Sequence, residues 1–559
     1  MTKTPSLVTP DEELTLSSNP VLRKAPLRRI KPILLALPAI TLLAAYTAHY
    51  ATNATFQDQW GQAQLLLKAH GHRLSFFDLW AQHNENRMLF PNLISLFFGE
   101  TFGTQNMTAI WASFTLQSTT YTILLTLLYR MHTRRRFYAI YVPATFLVIS
   151  TTYWEDSLWS FQLAWFLIIF CLFVAIAILS IINNRLVSTA LIGIVITVAS
   201  FSSIQGLLLA PSLAIAAWLC RKTRALYAIA VIGGTDTVLY FYHFHFTQTG
   251  APPIRSPITH LIHTVLYLPV LVGSTIPSEF PQPQILYAQG AFGTLLLVVA
   301  AFQLWHVFRH RPTELAVVLG TTVLIFGLGF SVMTAAGRSM FPLVQAESSR
   351  YTLYTLLVPL GELLLASGIA ARKPFSYWQH AFTAALGASA TLGALFIPLA
   401  IAGANAYYSV LLQSELIQAN WRTASNQQIV TTTFPDAALV RTTAAALDRL
   451  SLDGFGSTAF EMLTIEGPNA PKPTTAPLPL PATTPGLSGQ EQHTWDLLSA
   501  IYYSRNDLKS AFGPPDNSKL TCHLLAWATT QSMPGSHDSS APLLRAFRKS
   551  IFRLRADLC

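Results

Sequence analysis

Apolar residues form long blocks between Pro32 and Ala402, among them Phe161–Ile182 and Leu295–Phe308, and most polar positions fall in short stretches between the blocks. An apolar helix of about 20 residues is long enough to cross a hydrocarbon core of about 30 Å. The pattern predicts spans at Pro32–Tyr50, Met107–Tyr129, Phe137–Trp154, Phe161–Ile182, Leu186–Phe201, Gln205–Cys220, Leu226–Tyr242, Ile285–Phe308, Leu315–Met333, Tyr351–Ala371 and Ala381–Ala402. Pro91–Phe102 is short for a span, and Leu261–Ile276 has Pro269 inside it. Both read as re-entrant or interfacial; if both cross, the count rises by two. The expected fold class is an all-α polytopic membrane protein with about 11–13 transmembrane helices.

Composition agrees. Of 559 residues, 52% are hydrophobic and 11% charged, less than half the roughly 25% charged residues of soluble domains. A disordered chain, a secreted disulfide scaffold and a cytosolic enzyme are excluded. The net charge of +10 sits in clusters beside the apolar blocks: Arg23–Lys31, Arg130 with Arg134–Arg136, Arg221–Arg224, Arg309 with Arg311, and Arg372–Lys373. Such clusters mark cytoplasmic loops, so the charge orients the chain and implies no nucleic-acid partner. Residues 1–31 become a cytoplasmic basic leader, and Pro32–Tyr50 an uncleaved anchor rather than a signal peptide. The expected location is the cytoplasmic (inner) membrane.

Residues 32–402 form the expected multi-span domain, with an outer loop at 52–106. Residues 403–466 read as a helical extracytoplasmic segment, 467–486 as a stiff linker rich in Pro and Thr, and 487–559 as a small helical module. The stretch Arg545–Arg555 is basic and amphipathic, suited to a solvated face or to membrane lipids. Cys171 and Cys220 lie in apolar runs, whereas Cys522 and Cys559 could pair if their region is extracytoplasmic.

On this topology the charges outside the basic clusters converge on the outer face. Asp58, in FQDQW, sits just past the first span; it suits a general base, a divalent-metal ligand, or a helix N-cap. His70 and His72 read as polar surface or as loop metal ligands. His83, Glu85 and Arg87, in HNENR, either close a loop or bind a sugar or phosphate. Glu155 and Asp156, in WEDSLWSFQ, lie among Trp154, Trp159 and Trp165, which form an interface belt or a platform for sugar rings. Arg338 and Arg350 flank a short loop containing Glu347. They suit a loop salt bridge, a lipid headgroup, or a phosphate held by the planar guanidinium fork.

An apolar anchor, an acidic residue just beyond it, interfacial helices, and then the Arg87–Gly103 run RMLFPNLISLFFGETFG resemble membrane glycosyltransferases of the GT-C type. The resemblance covers the chain to about Arg130; beyond that it rests on hydropathy. Where those enzymes often carry an acidic pair and a proline pair, this chain has Asp58–Gln59 and Pro91–Asn92. HNENR, WEDSLWSFQ and the SSRY of Ser348–Tyr351 are similar to a bacterial multi-pass subgroup on the same scaffold. The resemblance implies a GT-C bundle and a lipid-linked (polyprenyl-phosphate) sugar donor. It also implies an envelope glycan, lipid or protein acceptor and Asp58 as the catalytic residue. His83, Glu85, Arg87, Glu155, Asp156, Arg338 and Arg350 become candidate substrate-binding residues. The cofactor is left open, a divalent metal included. A lipid-linked saccharide transporter or flippase, with charges at mid-span, is the alternative, and a non-enzymatic membrane scaffold is a third. Orientation is directly testable: a periplasm-active reporter fused after residue 410 is expected to be active, and a cytoplasm-only reporter working there would overturn the span order.

Overall fold

A computed structural model describes residues 27–104, 106–245, 256–277, 283–371, 377, 379–385, 387, 397–419, 421–422, 424–450 and 452. Most of the leader, part of the expected Ala381–Ala402 span, the linker 467–486 and the module 487–559 with Cys522 and Cys559 lie outside the described residues.

The described chain is mostly helical. The helices are α1 (Leu27–Tyr50), α2 (Gln59–His70), α3 (Phe76–Trp80), α4 (Leu89–Phe102), α5 (Asn106–Met131), α6 (Arg134–Val148) and α7 (Trp154–Leu158). Then come α8 (Leu163–Ile181), α9 (Arg185–Ser200), α10 (Leu209–Leu219), α11 (Thr223–Phe241), α12 (Pro257–Gly273) and α13 (Pro283–His310). The last are α14 (Leu315–Arg338), α15 (Ser349–Thr355), α16 (Leu357–Ala370), α17 (Ile397–Ala419), α18 (Asn426–Thr432) and α19 (Ala437–Arg449). A two-stranded hairpin, β1 (Gln82–His83) and β2 (Asn86–Arg87), interrupts them.

Among the described residues, five helical segments are long and apolar enough to cross a membrane: Lys31–Tyr50, Ser160–Ile181, Gln284–His310, Leu315–Arg338 and Ser349–Ala370. The other predicted blocks that are described in full do form helices, but shorter or more polar ones. The 16 residues of α9 reach only about 24 Å at 1.5 Å per residue. α5 has 26 residues, yet buries Ser113, Gln117, Ser118 and Thr120 among its apolar side chains. α12 packs antiparallel to α13, with Gly273 against Gln289 and Gly293 against Pro269. Its N-terminal half meets the end of α14, where Thr264 Oγ1 lies 3.0 Å from Ser339 Oγ.

The α14–α16 pair forms the centre, and α16 is buried along its whole length. A Cβ at Gly320 would stand 2.4 Å from Leu365 N, and one at Gly361 2.5 Å from Leu324 N. The antiparallel backbones touch because these positions carry no side chain, as small residues allow in membrane helix pairs. Charges sort to the two ends. At one end Arg136 donates to Ala370 O (3.3 Å), Lys222 donates to Leu179 O (3.1 Å), and Arg311 lies over Trp218. The other end gathers the C-terminal ends of α1, α9, α11 and α14 and the N-terminal ends of α5, α8, α10 and α15. There a second, smaller core joins Trp60, Ala63 and Leu66 of α2 to Ile429, Val440, Ala444 and Leu447 of α18 and α19.

Gly361→Leu is expected to lower the thermal midpoint of the purified protein. Overpacking costs about 1–3 kcal/mol or more, and here the obstacle is backbone. Gly337→Ala, where a Cβ meets nothing within 4 Å, is expected to leave the midpoint unchanged or slightly raised.

Candidate functional site

The hairpin is the keystone of the polar end. Asn84, at φ 50°, turns the chain between β1 and β2, a left-handed conformation that Asn tolerates better than most residues. Arg87, only 3% exposed, then anchors it. Its guanidinium donates to Tyr240 O (2.6 Å), Trp80 O (2.9 Å) and Tyr242 O, and lies 5.3 Å from the Trp80 ring centre. Tyr240 OH donates to Glu85 O, while Asn86 Oδ1 accepts from Ser203 Oγ and Ile204 N. These bonds lock the hairpin to α11 and to the turn before α10. Each of the three guanidinium nitrogens of Arg87 therefore donates to a main-chain carbonyl.

That anchoring presents His83 and Glu85. His83 Nε2 comes within 3.3 Å of Asp58 Oδ1, outside good hydrogen-bond geometry, and its ring lies 5.5 Å from that of Phe161. Asp58 occupies the N-cap position of α2, but its side chain makes no capping bond. Instead Gln59 takes over locally: its Oε1 accepts from Phe56 N (2.8 Å) and its Nε2 donates to Asn106 Oδ1 (2.7 Å). The Asp58 carboxylate is left partly exposed beside His83. On the other side of the hairpin Glu85 pairs with Arg338 at 3.1 Å, both about one-third exposed.

The second acidic stretch forms α7. Glu155 is held through its backbone N–H, which donates to Ser349 Oγ (2.9 Å), and through its carboxylate, which accepts from Ser348 Oγ (3.1 Å). Asp156 is 0% exposed, and neither carboxylate oxygen has a hydrogen-bond partner. Burial and then the charge of Glu155 push its carboxyl well above the usual range, while the guanidinium of Arg350 opposes them. Buried Tyr267 feels the charges of both Arg350 and Arg338, so these two arginines belong to one electrostatic neighbourhood. The tryptophans are packed inward: Trp159 donates to Phe56 O and stacks on Phe161, Trp154 meets Tyr407, and Trp165 meets Tyr354.

All eight sequence-selected residues therefore lie at the same end of the helices, in two contiguous groups. Asp58, His83, Glu85, Arg87 and Arg338 form one around the hairpin; Glu155, Asp156 and Arg350 form the other around α7. His70 lies elsewhere, 3.2 Å from Glu100. Among the described residues no three His, Cys, Asp or Glu side chains converge as a metal-ligand set. Beside the site runs an open groove lined by polar Gln59, Asn106 and Ser160 and by apolar Leu66, Ile94 and Phe98. Gln59, Asn106, Tyr240 and Tyr267 carry no sequence signal beyond the nearness of Gln59 to Asp58.

No known protein family, curated protein or solved structure matches this chain. The site stands on its geometry alone.

Asp156 generates a pH prediction. Its folded-state pKa lies above the ordinary 3.8, so the folded protein holds this proton more tightly than the unfolded chain. That contribution is fully present below the unfolded value and is lost as pH rises through the folded one. Asp156→Asn, which imitates the protonated form, is expected to flatten the decline of the thermal midpoint on raising pH above about 4. An unchanged decline would remove Asp156 as its source.

Proposed function

We propose that the chain is a GT-C-type glycosyltransferase that moves a sugar from a polyprenyl-phosphate donor to an envelope acceptor at the outer face of the cytoplasmic membrane. The observation that carries this reading is the uncapped Asp58 carboxylate, 3.3 Å from His83, at the same end of the bundle as Arg338 and Arg350. The eleven to thirteen spans, the cytoplasmic N-terminus and the extracytoplasmic C-terminal region belong to the same proposal.

In the proposed reaction the acceptor oxygen attacks the sugar C1 while the bond from C1 to the phosphate oxygen breaks. The bonding electrons leave with the polyprenyl phosphate, and the acceptor proton passes to Asp58. His83 orients the carboxylate. Arg338 and Arg350 supply positive charge for the departing phosphate, a preorganised electrostatic contribution. Glu85 pairs with Arg338 in the free protein, and Glu85 and Glu155 offer acceptors to sugar hydroxyls. No step is assigned to a metal.

A transporter reading has one observation in its favour. Glu362 is buried on the central helix α16, with Oε1 lacking a hydrogen-bond partner, a placement suited to a mid-membrane coupling site.

Purified variants assayed with polyprenyl-phosphate-linked sugars separate the two. Asp58→Asn is expected to lower turnover by about 10²–10⁴, as general-base loss does, at unchanged expression. Arg350→Ala is expected to weaken donor binding about tenfold to a hundredfold, with Arg350→Lys recovering part of it. Normal transfer by Asp58→Asn would end the general-base role, whereas no transfer by the unaltered protein, with translocation of the lipid-linked sugar in reconstituted vesicles that is lost in Glu362→Gln, would favour the transporter.

A further inference from the structure

The turn that carries Asp58 is held by residues more than 350 positions away in sequence. Thr55 N donates to Gln418 Oε1 at 2.9 Å, and Gln418 Nε2 donates back to Thr55 O at 2.5 Å. Two residues on, Gln57 N donates to Thr433 O at 2.9 Å. Gln57 itself sits at φ 49°, a region costly for a residue with a side chain, and one that persists where the surroundings over-determine it. Ser414 ties these contacts together: its Oγ accepts from Gln418 Nε2 (2.9 Å) and donates to Thr433 Oγ1 (3.4 Å). Ser414, Gln418 and Thr433 are all buried.

A residue just past the same C-terminal helices holds the far end of the neighbouring loop. Past α4, Thr104 N and Oγ1 both donate to Leu452 O, at 2.9 and 3.0 Å. This approach needs Gly103 at φ 68°, where a Cβ would stand 2.9 Å from Leu452 O. Between the two grips α18 and α19 bury Trp60 and Leu66 of α2, the helix whose first turn carries Asp58. The Thr55 and Gln57 amides of the Asp58 turn are thereby satisfied by a separate segment, while Phe56 N–H is taken locally by Gln59.

We infer that α17–α19 act as a positioning clamp on the Asp58 turn, with Gln418 as its positioning residue. The inference rests on the catalytic reading of Asp58 for its functional arm, but its structural arm is independent. Gln418→Leu keeps volume and removes both bonds to Thr55. Ser414→Ala is a milder variant that leaves Gln418 in place. Arg422→Ala is the control, since it breaks the surface pair with Asp448 and the contact with the Trp421 ring on the same segment, neither of which reaches Thr55 or Gln57.

Hydrogen–deuterium exchange on the purified full-length chain reads the clamp. Gln418→Leu is expected to speed exchange of the 55–60 amides about tenfold, with Ser414→Ala intermediate and Arg422→Ala unchanged. The hairpin amides at 82–87, held by Arg87, are expected to stay protected in all three, which also reports that the fold persists. With polyprenyl-phosphate-linked sugars as donor probe, kcat is expected to fall about tenfold to a hundredfold at unchanged donor KM, as misplacement of a catalytic group does. Unchanged exchange at 55–60 in Gln418→Leu would overturn the clamp. Faster exchange with normal kcat would overturn its positioning role. If the unaltered protein transfers no sugar from any probe, the glycosyltransferase reading fails, and the exchange result alone decides the clamp.

Discussion

A charge in hydrocarbon must be paired, solvated or absent. Insertion scales put Asp, Lys or Arg at mid-helix at about 2.5–3.5 kcal/mol each, and every unsatisfied backbone group adds several more. The chain answers with helices, which satisfy their own backbone, and with glycines at Gly320 and Gly361 that let the central pair approach without side chains between them. Its ionisable residues are then mostly expelled to the ends of those helices. Arginine and lysine clusters gather at one end, while carboxylates, histidines and a second set of arginines gather at the other. The polar site is therefore a by-product of the same sorting that lets the helices exist, since loops distant in sequence have only two ends on which to meet.

Within that end, what a side chain has already bound separates scaffold from site. Arg87, Arg338 and Arg350 look interchangeable as guanidinium groups. Arg87 donates to three main-chain carbonyls, partners that cannot be withdrawn without unfolding the hairpin. Arg338 faces a partly exposed carboxylate, a solvated pair worth about 0–1 kcal/mol, which costs little to break and so suits the proposed phosphate contact. Arg350 stands beside Glu155 and Asp156, the latter with neither oxygen hydrogen-bonded. An arginine spent on backbone holds shape; one facing carboxylates keeps charge to redistribute when an anion arrives.

Hydropathy and basic clusters made the helical class legible, and they brought the acidic loops to one end before any coordinates. The grouping of Asp58 with the HNENR stretch was also readable, because both lie in a single loop between two apolar blocks. Helix lengths were less so: windows such as Gln205–Cys220 are mostly apolar, but the backbone breaks them into a 3₁₀ turn at Ile204–Leu208 and the short α10. Hydropathy measures transfer of side chains and is blind to that break. The part played by Arg87 was open for the same kind of reason, since its partners are carbonyl oxygens of Trp80, Tyr240 and Tyr242, and a carbonyl leaves no mark in a sequence.

The hold on the Asp58 turn shows where such reading ends. Thr55 and Gln57 use their backbone N–H groups, and their partners are one glutamine side chain and one carbonyl in a segment that looks merely polar and helical. Neither Gln418 nor Thr433 carries a charge or belongs to a motif. Yet Gln57 at φ 49° has to be held by something, because a left-handed glutamine costs of order 1–3 kcal/mol. Were the turn held only by α2, the helix would be free to relax it and recruit the Asp58 carboxylate as an ordinary N-cap, a bond typically worth about 1 kcal/mol. The segment beyond α17 opposes that relaxation by occupying the Thr55 and Gln57 amides, and so keeps the carboxylate turned toward His83 rather than toward its own helix.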